Sequence, residues 1–370
     1  MAWSDQPSAG EERILSIDAL RGFDMFWITG GKAIVLAAAA WAVNPLPKEF
    51  TQQFDHVAWE GFSAWDLIMP LFLFIVGTSI PLSFKKRIER GQTREGFYWK
   101  AVKRTVILFV LGLAAQGNLL DFDLATLHVY CNTLQSIAIG YLVASIVVLH
   151  CRLTGHFVVI AVLLLGYWAL MMLVPVPGHP AGILEPQANL ALYVDDQVLG
   201  RFSDGTPYTW VLSSMGFAAS VLLGVLSGHL LLSDWSKAMK WLLLVAAGGI
   251  CLGLGWLWAL AFPMIKHIWS SSMVLWAGGW SFLLLALFYG IIDILGLRRW
   301  CYFFVVLGAN AIVVYMAPRI IDFGRIGGEL AGGLIRLAGY TDVQYHELAG
   351  ILFLWALMAF LYRKRIFVRI

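Results

Sequence analysis

Residues 55–80 read DHVAWEGFSAWDLIMPLFLFIVGTSI. From Leu67 onward the stretch is almost unbroken apolar residues, and a hydrocarbon core about 30 Å thick needs roughly 20 such residues in a helix. Ahead of it stand Asp55, His56 and Glu60, and one carboxylate, Asp66, falls at the start of the apolar run. The stretch therefore predicts a membrane-spanning helix with a titratable cluster at its mouth.

The rest of the chain agrees. Its 370 residues are 60% hydrophobic and 13% charged. A soluble protein of this length cannot hide that much apolar surface in one core, whereas a polytopic membrane protein exposes it to lipid. Seventeen tryptophans suit membrane–water interfaces. A net charge of +3 gives no case for a nucleic-acid partner, and no zinc-type Cys/His spacing occurs, so no metal is expected. Cys131, Cys151, Cys251 and Cys301 lie within or beside apolar runs, which argues against a disulfide framework. Residues 1–12 are polar and no cleavage site follows the first apolar run, so no removable signal peptide is expected.

The predicted fold is all-α, a polytopic integral membrane protein of about ten transmembrane helices. Spans are placed at 16–43, 63–84, 101–118, 130–149, 156–174, 211–232, 239–262, 270–293, 301–318 and 346–362, the first broken by TGGK (29–32). The 85–104 loop, KKRIERGQTREGFYWKAVKR, is densely basic, and Arg21, Arg152, Lys237, Lys240, Arg298, Arg299 and Arg363 fall on the same side. That side is read as cytoplasmic, with both termini inside. The chain is read as one domain, 1–370, with outer loops at 44–62 and 175–210 and a basic cytoplasmic loop at 85–104. Segment 324–339 is too short and glycine-rich to span, and is read as re-entrant or interfacial.

Several polar groups in this apolar chain are candidates for function, each with a plainer reading beside it. His56 can act as a base near neutral pH, or be a solvated interfacial histidine. Asp66 must face the bundle interior and find a partner, either to lock a helix or to serve chemistry. In SIDALRGFD, Asp18 and Arg21 share a helix face. They make an orienting ion pair, or a site where Arg21 and the basic loop draw a phosphorylated ligand. Asn132, Gln135 and Asn310 join helices by hydrogen bonds on the plain reading. Lys266 and His267 share the outer face with His56, where a lysine can simply snorkel.

Five blocks in order then carry a resemblance: LSIDALRGFDMFWI, DHVAWEGFSAWDLIMPLFLFIVGTSIPLS, LQSIAIGYLVAS, FPMIKHIWSSSMVL and LGANAIVVY. Together they resemble the heparan-α-glucosaminide N-acetyltransferase-like transmembrane acyltransferases, in their bacterial branch. The resemblance implies transfer of an acetyl group from cytoplasmic acetyl-CoA to the amine of glucosamine, or of a saccharide containing it, across a bacterial inner membrane. It places the essential histidine on His56, as base or acetyl carrier, with Asp66 and Glu60 beside it in the catalytic set. Arg21, Asp18, Arg104, Asn310 and Gln135 are then assigned to acetyl-CoA, and Trp59, Asp55, Lys266 and Trp269 to the amino-sugar acceptor. Membrane lipid and a homodimer partner are implied as well. Where the family carries an asparagine upstream of the histidine, this chain reads FWITGGKAI, with Thr29 nearest. Two other readings stand: an amino-sugar transporter, and an O-acyltransferase acting on a cell-envelope polysaccharide.

Overall fold

A computed structural model describes residues 14–43, 45–337 and 343–368. Every regular element among them is helical, and the extended pairing is a single antiparallel bridge between Glu60 and Ile265. The first span is α1 (Leu15–Phe26), a π-helical turn at Trp27–Gly31, and α2 (Lys32–Ala42). The break sits where the sequence reads TGG, and Gly30 takes φ +125°, a left-handed conformation that suits glycine. A short α3 (Lys48–Gln52) precedes α4 (Ile68–Glu89), and α5 (Arg94–Gln116), α6 (Thr133–His150) and α7 (Leu153–Leu173) follow. The 175–210 segment contains α8 (Leu190–Leu199). Next come α9 (Ser214–Leu232), α10 (Lys237–Ala259), α11 (Ser271–Tyr289), α12 (Tyr302–Ala309), α13 (Ala311–Ile320), α14 (Phe323–Leu337) and α15 (Val343–Arg363).

The protein is a multi-pass helical membrane protein. Against the expected ten spans, seven helices among the described residues are long and apolar enough to cross a membrane. An eighth is added if α12 and α13, bent by 73°, count as one span. Two expected spans fall short for physical reasons. The first half of α5 carries Arg94, Lys100, Lys103 and Arg104, and the apolar part of α15 is the shorter Leu348–Arg363. Segment 324–339 is helical as far as Leu337; residues 338 and 339 lie outside the described residues. All four cysteines are free.

The core forms where α4 and α9 cross. Lipid tails are as apolar as leucine, so helices in a membrane gain by close packing rather than by burial from water. Here Gly77 faces Val221 O and Gly224 faces Phe74 O, so closely that a Cβ on either would strike backbone. Thr78 Oγ1 and Ser227 Oγ bridge the same crossing at 2.8 Å. Helices α4, α6, α9 and α11 thus make the buried centre, while α7 and α10 are mostly exposed. The loops at the N-terminal end of α4 rest on this rigid platform.

Candidate functional site

Local sequence places Asp66 first. Ser63-Ala64-Trp65-Asp66 forms a capping box that opens a single 3-10 turn, Ala64–Leu67, leading into α4. Asp66 Oδ2 accepts the Ser63 backbone N–H at 3.1 Å and lies 3.0 Å from the Ser63 hydroxyl. That hydroxyl also lies 2.7 Å from Asp55 O, so it ties the loop to the cap. From the other side, Gln53 O accepts the Trp65 N–H at 2.9 Å.

Asp66 Oδ1 then receives two further groups. His56 Nδ1 stands 2.7 Å away and Lys266 Nζ 3.2 Å away. Lys266 arrives there because the 260–270 turn pairs with the loop: Glu60 bridges Ile265, and the Gly61 N–H donates to Met264 O at 2.8 Å. The turn is itself anchored. Ser270 N donates to Ile265 O, Ser213 Oγ donates to Ile268 O at 3.0 Å, and Tyr167 Oη donates to the same carbonyl.

Asp66 is buried, whereas the His56 side chain is 46% exposed. With a carboxylate 2.7 Å from Nδ1, the ring proton belongs on Nδ1, which leaves Nε2 with a lone pair. Lys266 Nζ, 3.1 Å from Nδ1, then spends its protons on Asp66. Burial pushes the Lys266 ammonium below the ordinary lysine range, while Asp66 pulls it back up. Chemically, such an arrangement can serve as a base oriented by a carboxylate whose charge a lysine offsets.

Around it stands an aromatic wall. His267 is held between Trp59, stacked at 5.0 Å, and Tyr208 at 4.3 Å. Burial, and next the charge on Lys266, hold His267 down at about 4, so it is neutral at neutral pH. Trp59 Nε1 donates to Leu184 O, joining the wall to the 175–210 loop. Asp195 holds that loop in turn, accepting the Trp210 and Val211 N–H groups at 2.7 and 2.9 Å, and burial raises it to about 6.

The other expected residues are scattered. Glu60 contributes its backbone bridge to Ile265, and its side chain is exposed. Asp55 pairs with Lys32 at 2.5 Å. Trp269 is 2% exposed, with Nε1 donating to Ser220 Oγ, so its ring belongs to the packed interior. Gln135 bonds Cys131 N and Val129 O at the start of α6, beside the Asn132 cap. Asn310 sits at the α12–α13 bend and binds the C-terminal backbone, donating to Ile366 O and accepting from Val368 N. Arg21 contacts Asp18 at 3.5 Å and Ser79 Oγ at 2.8 Å. Arg104 lies over Tyr141, with a buried Nε that has no partner among the described residues. Ser63 and Tyr208 were not singled out from sequence. Ser63 carried a signal, the S-x-x-D capping pattern; Tyr208 carried none.

No protein-family model matches the chain. The chain is 26% identical to heparan-alpha-glucosaminide N-acetyltransferase of Homo sapiens and 25% identical to that of Mus musculus. Each alignment covers 86% of this chain and 56% of the relative, so the chain spans little more than half the length of these curated relatives.

Proposed function

From this kinship with the heparan-α-glucosaminide N-acetyltransferases, we propose that the chain is a membrane-embedded acyltransferase carrying acetyl from cytoplasmic acetyl-CoA to an amino sugar on the outer side. The observation that carries the reading is the His56–Asp66 contact of 2.7 Å, with Lys266 on the same carboxylate oxygen. We read the chain as a single transmembrane domain of a bacterial inner membrane.

The chemistry follows from the tautomer. Asp66 holds the proton on His56 Nδ1, so Nε2 accepts a proton from the acceptor amine as its nitrogen attacks the thioester carbonyl. The new N–C bond forms, the tetrahedral intermediate collapses, and the C–S bond breaks. The CoA sulfur leaves and takes up the proton that His56 received. Lys266 keeps Asp66 ionised throughout, because a buried carboxylate without a counter-charge would favour its neutral form. His56 as a transient acetyl carrier uses the same atoms, with Nε2 attacking first.

Acetyl-CoA is too polar to cross the membrane, so its phosphates stay at the cytoplasmic face. Lys85, Lys86, Arg87, Arg90 and Arg94 cluster there, at the end of α4 and the start of α5. The unpaired Arg104 Nε supports a contact on the same helix. The test is calorimetric titration of the purified protein with acetyl-CoA, with free CoA for comparison, followed by acetyl transfer to glucosamine. Micromolar binding with transfer is the expected result. Absence of binding by a folded sample overturns the reading.

One observation favours a second reading. The 73° bend at Asn310 and the break at Gly30 are the interrupted helices on which transporters build substrate sites. Uptake of labelled amino sugar into vesicles free of acetyl-CoA distinguishes the two, since the acyltransferase gives none.

A further inference from the structure

Asp195 has no part in the proton transfers above, yet its carboxylate is linked by hydrogen bonds to the turn that carries Lys266. It stands on α8, whose first turn is capped by Asn189, with Oδ1 accepting the Leu192 N–H at 2.9 Å. Asp195 is 1% exposed, and each of its oxygens accepts one backbone N–H, Trp210 at 2.7 Å and Val211 at 2.9 Å. Burial raises it only to about 6, so it is ionised at neutral pH and both bonds are charge-assisted.

The residue before Trp210 makes the next link. Thr209 donates its N–H to His267 O at 2.9 Å, and its hydroxyl lies 3.3 Å from that carbonyl and 2.6 Å from Ser213 Oγ. Ser213 Oγ in turn donates to Ile268 O at 3.0 Å. Thr209 and Ser213 are both buried. Segment 209–213 therefore grips the two carbonyls that follow Lys266, while Asp195 fixes the same segment from α8. At its other end the turn meets the His56 loop through the Glu60–Ile265 bridge and the Gly61 N–H on Met264 O.

We infer that Asp195 is a positioning residue for the His56 centre. Its carboxylate clamps Trp210 and Val211, and through Thr209 that clamp holds the turn bearing Lys266 and His267 against Asp66. The effect on transfer rests on the acyltransferase reading, whereas the clamp itself does not. Asp195→Asn tests it, because the amide nitrogen turns a donor toward one of the two N–H groups and leaves that buried donor without an acceptor.

The full chain in detergent is compared with Asp195→Asn by hydrogen exchange read by mass spectrometry, and by acetyl transfer to glucosamine. The amides of Ile265, Trp269 and Ser270, bonded within the turn, should exchange about tenfold faster in the variant, with those around Gly224 on α9 unchanged. In the same variant kcat should fall about tenfold while KM for acetyl-CoA stays constant. Thr209→Val keeps the shape, removes the hydroxyl link and should speed exchange in the turn severalfold, which decides the matter if Asp195→Asn does not fold. Exchange that rises only within 200–212, or equally in the turn and in α9, overturns the inference, as does a kinetic loss confined to KM for acetyl-CoA. A wild type that transfers no acetyl counts against the acyltransferase reading alone, because the exchange rates still decide whether Asp195 holds the turn.

Discussion

Lys266, in the turn between α10 and α11, places Nζ 3.2 Å from Oδ1 of Asp66 at the head of α4. His56 Nδ1 reaches the same oxygen at 2.7 Å. One carboxylate oxygen thus organises a base and a cation drawn from two distant parts of the chain.

Replacing His56 by alanine removes the proton acceptor. Acetyl transfer should fall to the uncatalysed level while helical content and detergent solubility stay unchanged, because the side chain is half exposed. Full transfer activity in the variant sinks the mechanism.

Asp66→Asn should keep the loop in place but offer Nδ1 an amide in the place of a carboxylate, so the wrong imidazole tautomer becomes accessible. By analogy with other carboxylate-oriented histidines, kcat should drop roughly 10²–10⁴-fold, with KM little altered. A loss confined to KM would show that Asp66 acts in binding.

Lys266→Met leaves Asp66 buried beside a neutral partner, which should destabilise the protein by about 3 kcal/mol. Adding Asp66→Asn removes the stranded charge and should restore part of that loss. Thermal unfolding of the four proteins in a double-mutant cycle reads the coupling, and purely additive effects would contradict it.

His267 gives a pH dependence of known sign. Its value in the fold, about 4, lies below its ordinary 6.5, so the unfolded chain binds the proton more readily. Its contribution to stability is complete above about 6.5 and is lost as pH falls toward about 4, reaching at most about 3 kcal/mol. His267→Phe keeps the ring between Trp59 and Tyr208 and should flatten the unfolding midpoint across that window. A wild-type midpoint that does not fall between pH 6.5 and 4 refutes the assignment.

The α4–α9 crossing offers a packing test. Gly77→Ala forces a Cβ against Val221 backbone, which no rotamer change relieves. A loss of about 2 kcal/mol or more in unfolding free energy is expected, with no change at the open position Gly249 on α10.

Sequence alone determined the membrane class, because transfer of apolar residues into lipid is a local, additive property of each run. The break at Gly30 was equally legible, since it acts within one turn of backbone; the Ser63–Asp66 cap carries an equally local pattern that the sequence reading passed over. It could not count the spans: α5 mixes a basic half with an apolar half, and composition does not say where a helix leaves the bilayer. Nor could it sort the polar residues. Asp24 and Asp66 look alike in sequence, each a carboxylate in apolar company, yet one takes His56, Ser63 and Lys266 while the other has no hydrogen-bond partner among the described residues. Trp59 and Trp269 look alike as well, and one stacks on His267 while the other is packed inside. Only tertiary structure decided these, because a buried charge takes its meaning from what stands within a few ångströms, and here those groups come from segments up to 210 residues apart.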